Sequence, residues 1–251
     1  MKGARTVSGT PPAVAADVNR AWRAHAFWLG MAMLCTLIAL AGFVPIYFLP
    51  VLRGEVEFPL RLHLHAVAAS LWLLLLVVQS GLIVSGRPRV HRRVGLATLI
   101  VAAALVPLTL WAIAGMLTRS DPPGELERGV FFPQVGSLLL FATWVGLGWI
   151  TRRHCERHKR FMLMATIAML GTPIARIEWW GINQQPVLMV ALWLGPAIIL
   201  GLHDVWTRRR PHPVTGWCTG SLFAMQVLSV FLMGNETWGA VIADLATTLR
   251  G

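Results

Sequence analysis

The chain has 251 residues, 56% of them hydrophobic and only 13% charged, with a mean hydropathy of +0.63. One soluble core cannot hide that much apolar surface, whereas runs of about 20 apolar residues are what a bilayer with about 30 Å of hydrocarbon demands. A water-soluble globule is excluded. The formal charge of +11 would suit a nucleic-acid binder, but the basic residues lie in short loops between apolar runs, which marks them as topology signals; no nucleic-acid partner is expected.

In chain order, residues 1–26 form a polar tail whose Ala, Pro, Ser and Thr content up to Arg20 predicts disorder. Seven charge-poor stretches follow, at about 27–49, 66–85, 94–117, 130–150, 161–180, 186–206 and 216–233. Arg176, Glu178, His203 and Asp204 are their exceptions, near the ends. Each is long enough to cross as a helix, and the ten-residue alternation of a membrane strand is absent. The expected fold class is all-α, a polytopic membrane bundle of seven transmembrane helices over 27–233. A final segment, 234–251, carries Val241, Ile242, Leu245 and Leu249 at roughly helical spacing and is expected to lie along the interface. Ala39-Leu40-Ala41 before Gly42 imitates a signal-peptidase site. The apolar run continues to Leu49, longer than a signal core, so the first helix is expected to be retained.

Charge orients the bundle. With the N-terminus cytoplasmic, the inner segments hold 16 of the 22 Lys and Arg against three acids, and the outer ones six against eight, which is +13 against −2. The expected topology is N-in and C-out.

The inner loops repeat a theme. Val90-His91-Arg92-Arg93-Val94 and Arg157-His158-Lys159-Arg160-Phe161 each place a histidine just before an outward-going helix, and His212 in the third loop does so loosely. Seven of the eight histidines therefore group by side: His91, His154, His158, His203 and His212 inside, and His63 and His65 outside, with His25 left in the tail. Neutral imidazoles at matched depth on neighbouring helices are what a b-type haem or a transition metal takes, so His91, His158 and His203 are the candidate cofactor ligands, with Glu156 or Asp204 to orient an imidazole. The bland alternative is that these histidines share the headgroup-facing role of their basic neighbours. On the outer side, His63, His65 and Glu178 are a candidate metal set, provided the chain there is extended, since two residues apart on a helix diverge by about 200°. Arg176 and Glu178 inside an apolar stretch suggest either a site or a snorkelling rim.

Other features are read as structural. Gln79 and Gln226 are deep enough to hydrogen-bond between helices. Pro107, Pro173 and Pro196 are expected to kink three helices. Trp28, Trp149, Trp179, Trp180, Trp206, Trp217 and Trp238 are placed in an interfacial belt, with Trp72, Trp111, Trp144 and Trp193 between helices. Cys35, Cys155 and Cys218 lack CxxC or CxxCH spacing, so neither zinc nor covalent haem is expected. The only lysines, Lys2 and Lys159, lie outside the last span and exclude a retinal Schiff base. P-loop, GxSxG and HExxH motifs are absent.

At Leu62-His63-Leu64-His65, at Gly86-Arg87-Pro88-Arg89-Val90-His91-Arg92-Arg93-Val94-Gly95, at His158-Lys159-Arg160-Phe161-Met162-Leu163 and at Asp204-Val205-Trp206-Thr207-Arg208-Arg209-Arg210, the chain resembles a broad group of poorly characterised bacterial multi-pass inner-membrane proteins. These carry the same His-Arg-Arg and His-Lys-Arg cytoplasmic turns, and one of the families is linked to cytochrome oxidase maturation. The resemblance implies a bacterial inner-membrane bundle. The combined expectation is a haem b or metal-linked role in respiratory redox or oxidase assembly. The alternatives are a non-catalytic accessory subunit packed on a larger membrane complex, and a small transporter with a polar vestibule around His63, His65, Arg176 and Glu178. No catalytic residue is named.

Overall fold

The computed structural model describes residues 12–120, 122–178, 181, 184–233 and 235–250, with side chains from His25 onward except that of Pro186. Among these residues every regular element is a helix. They are α1 (Pro12–Phe43), a π-helical turn (Val44–Phe48), α2 (Leu49–Arg53), α3 (Leu60–Val84), α4 (Pro88–Leu117) and α5 (Glu125–Ile150), then α6 (Cys155–Ala168), α7 (Gly171–Ile174), α8 (Pro186–Arg208), α9 (Pro213–Leu232) and α10 (Glu236–Arg250). Six are long and apolar enough to span a bilayer: His25–Arg53, Leu60–Val84, Pro88–Leu117, Glu125–Ile150, Val187–Arg208 and Pro213–Leu232. Large apolar side chains also cover the outside of the bundle, as Leu74, Ile100, Leu139 and Phe231 show. The chain is a multi-pass membrane protein, apolar within and without.

Two expectations change. The tail is already helical at Pro12, because proline suits a first turn and Ala13, Ala15, Ala16, Ala21 and Ala24 favour the helix. The fifth stretch is not one long helix but α6 and α7, 14 and 4 residues long. Pro173 lacks an N–H and its ring crowds the carbonyl four residues back, so the helix breaks at Met169 and Leu170. The Trp193 indole donates to the Ile167 carbonyl at 2.8 Å, satisfying the last turn of α6 inside the bundle. Pro107, Pro133 and Pro196, by contrast, sit within continuous helices.

The broken segment is the axis of the bundle. Nearly every residue from Arg160 to Leu170 is buried, and α6 packs against α1, α5, α8 and α9. It runs parallel to α1: Lys159 lies over the Trp28 ring, while 14 residues further along α1 Gly42 abuts the Pro173 backbone. A Cβ at Gly42 would strike that backbone. The Ala39-Leu40-Ala41-Gly42 run therefore contributes small residues to a close helix contact.

The loops α3–α4, α5–α6 and α8–α9 gather at one end, here the basic end. The first turns through Gly86 at φ 68, with the Arg87 N–H on the Leu82 carbonyl at 2.8 Å, a left-handed cap that favours glycine. The repeated histidine motifs occupy equivalent places, His91 and His158 in the first turns of α4 and α6 and His212 at the N-cap of α9. At the far end, α10 lies on the bundle as the expected amphipathic helix, burying Gly239, Ile242 and Ala246 beside Leu117 and Phe131.

Of the tryptophans, Trp72, Trp144 and Trp193 are buried, but Trp111 is half exposed and faces outward from α4. Trp179 and Trp180 lie outside the described residues. Gln79 bridges helices as expected: with its amide turned so that the nitrogen faces the imidazole, it donates to His91 Nδ1 (2.6 Å) and its oxygen lies 3.0 Å from Thr98 Oγ1 on α4.

Candidate functional site

At the basic end the structure builds a charged clasp. Arg160, 1% exposed, makes a two-pronged ion pair with Asp204, 0% exposed, and its Nη1 donates to Glu156 Oε2 at 2.6 Å. Asp204 also accepts from Thr215 Oγ1 (2.6 Å) and the His212 N–H (3.3 Å), so α6, α8 and α9 meet on one carboxylate. Burial opposes ionisation of Glu156, but the hydrogen bonds and charges of Lys159 and Arg160 outweigh it and hold the carboxyl below its usual range. Asp204 and Glu156 thus serve arginine and lysine, not an imidazole.

The candidate cofactor histidines separate. His91 and His158 come together with ring centroids 6.2 Å apart, edge to face, and His158 Nδ1 donates to the Gly148 carbonyl at 2.9 Å. His203 stacks on Phe27 at 3.7 Å instead, with its Nδ1 buried and, among the described residues, without a hydrogen-bond partner. The outer metal set does not gather either. His63 and His65 are both within α3, so they point to different sides: His63 Nδ1 meets the Tyr47 hydroxyl at 2.7 Å and His65 Nδ1 meets Thr109 Oγ1 at 3.2 Å. Glu178 is exposed. Among the described residues no three His, Cys, Asp or Glu side chains are placed to share a metal ion.

The far half of the bundle instead holds a cavity of about 330 Å³, within the small end of the range for organic ligands. It is bounded by α1, the π-turn, α3, α4, α5 and the broken α6–α7 segment. Both irregularities of the fold line it: Ile46, Tyr47 and Phe48 from the π-turn, and Met169, Leu170, Thr172 and Pro173 from the helix break. Such departures from α-geometry inside a bilayer are tolerated where the backbone borders a cavity or is packed in protein. Along α3 the lining runs from Arg61 to Leu73, a depth of about 18 Å at 1.5 Å per residue.

The floor is mostly apolar, with Trp72, Leu73 and Leu105, and Ser70, Ser137 and Thr166 add hydroxyls. Trp72 Nε1 already donates to Thr166 Oγ1 at 3.1 Å. Polarity concentrates nearer the mouth, at Arg61, His65, Arg119, Gln134 and Arg176. Thr109 gives its only proton to the Leu105 carbonyl at 2.7 Å, so it accepts from His65 Nδ1–H. This leaves Nε2 as the remaining polar atom of that ring. Among the described residues Arg61 touches one acceptor, the Gly115 carbonyl at 3.4 Å, against a glycine where a Cβ would collide with the guanidinium. Arg176 likewise has one among them, the Thr172 carbonyl at 2.8 Å, and lies 5.5 Å from the Phe43 ring.

Sequence reading found His65 and Arg176 but missed Arg61, whose signal was present. Arg61 and His65 are four apart on α3 and so share a face, from which His63 is turned away. Missed too was the Arg160–Asp204 pair, which joins residues 44 apart.

No protein-family model, curated protein or solved structure matches the chain.

Proposed function

We propose that the protein takes a small organic molecule into the cavity at the far end of its bundle, as a carrier or a binding protein for that molecule. One observation carries the reading: the two interruptions of helical geometry, the π-turn and the α6–α7 break, border the same ligand-sized space. Discontinuous helices that line a mid-membrane site are how transporters free backbone and small-residue surface for a substrate. On this reading the α6–α7 segment is the seventh span of the bundle. The basic end faces the cytoplasm of a bacterial inner membrane, and the cavity opens to the outer side.

The test is chemical access. In a Cys155→Ser background the two remaining cysteines, Cys35 and Cys218, are buried. Ala112→Cys on the α4 wall should then react with a membrane-impermeant thiosulfonate added outside cells, and Ala197→Cys, buried in α8 away from the cavity, should not. Equal protection of both would contradict the reading.

A second reading keeps haem b or a metal at the basic end, supported by the adjacency of His91 and His158. It requires a reduced Soret and alpha band in purified protein, lost in His91→Ala or His158→Ala. A protein without chromophore or stoichiometric iron, copper or zinc would end it.

A further inference from the structure

We infer that the molecule held in the cavity is a single-chain organic anion, its carboxylate or phosphate head at Arg61 and Arg176 and its apolar chain directed toward Trp72. The inference rests on the cavity reading above and names the ligand class.

Charge is the first argument. The lining includes Arg61, Arg119 and Arg176 and, among the described residues, no carboxylate. Guanidinium groups stay ionised; Arg119 is exposed and Arg61 and Arg176 are half-buried, and withdrawing the latter two further from water under a ligand is costly unless a counter-charge replaces the solvent. The same chain shows what it does when an internal partner is meant: buried Arg160 receives both Asp204 and Glu156. Among the described residues Arg61 and Arg176 receive one neutral carbonyl each. A guanidinium has five N–H donors in a planar fork, so most of theirs remain for an anion, and paired anionic oxygens match that fork.

Shape is the second. Toward Trp72 the lining is formed largely by Leu73, Leu105 and Met169, with the Ser70, Ser137 and Thr166 hydroxyls, too few polar groups to hold a wholly hydrophilic ligand. A compact inorganic anion would leave that depth unfilled, and a cation would meet three like charges. An anionic head with an apolar chain satisfies both ends.

The experiment uses the full chain in a non-ionic detergent and bromine as a contact quencher of tryptophan emission. The probes are 11-bromoundecanoate, 11-bromoundecyl phosphate, 11-bromoundecanol, 11-bromoundecyltrimethylammonium and a brominated phosphatidylglycerol. The two single-chain anions should quench saturably, at concentrations at least tenfold below the alcohol and the ammonium. The effect should be lost in Trp72→Phe. Arg61→Gln with Arg176→Gln should raise the half-saturating anion concentration at least tenfold and leave the alcohol unchanged. If Trp72→Phe fails to fold, the arginine variants decide, with the alcohol arm reporting an intact cavity. Alcohol and anion quenching alike would overturn the anionic assignment while leaving the cavity reading in place. Quenching by the two-chain lipid alone would assign the cations to a membrane headgroup and overturn the single-chain ligand. Saturable quenching by none of the probes would overturn the cavity reading itself.

Discussion

Asp204 is held by a guanidinium, a hydroxyl and a backbone N–H at once, so removing it leaves the buried Arg160 with only the half-exposed Glu156 as counter-charge. Asp204→Ala should cost about 3–5 kcal/mol, read as a lowered Tm in detergent, because a buried partner left uncompensated costs more than the pair was worth. Arg160→Met combined with Asp204→Leu should recover much of that loss, and a double variant as unstable as the single one would contradict the account. His212 contributes to the pH dependence. Its Nδ1 accepts from the Val214 N–H at 3.1 Å, and burial, followed by the charges of Arg160 and Arg208, holds its pKa below the usual value. A folded state that resists protonation binds fewer protons than the unfolded chain, so this share of stability is complete above about pH 6.5 and is lost as pH falls below it. His212→Asn should keep the cap and flatten that loss between pH 7 and 5. Parallel Tm profiles for the two proteins would show that His212 does not titrate with folding. The histidines were visible in the sequence as a repeat, but their partners were not, since a hydrogen bond such as His65 to Thr109 joins residues 44 apart.

At the scale of elements, hydropathy located each apolar segment because a spanning helix must be apolar along its whole length. It could not locate the break in the fifth. Pro173 looks in sequence like Pro107 and Pro196, and only Pro173 ends its helix, because the break there has Trp193 to satisfy Ile167 and Gly42 to admit α7. Gly42 is the sharper test of this packing. A methyl group there meets backbone, not a flexible side chain, so α1 and α7 must part. Gly42→Ala should lower stability by about 1–3 kcal/mol, in line with overpacking, and also weaken any ligand held by the α7 wall. An unchanged Tm would mean that α1 and α7 separate freely and that the contact contributes little.

For the whole molecule, the division of labour follows the ends. The basic end is tied together by the Arg160–Asp204–Glu156 clasp, while the far half holds a cavity lined by three arginines. The charge asymmetry predicts how this polarity sits in the membrane: reporter fusions after Arg93, Arg160 and Arg210 should report cytoplasm, and fusions after Gly124 and Gly251 the outer side. An outer signal from a basic loop would invert the assignment. The central claim, that the cavity holds a single-chain anionic molecule, is tested most directly by native mass spectrometry of protein extracted from its own membrane in mild detergent. The account expects one retained adduct of a small single-chain anion per chain, absent from the Arg61→Gln and Arg176→Gln double variant. Identical adducts on both proteins, or only a statistical spread of two-chain lipids, would contradict it.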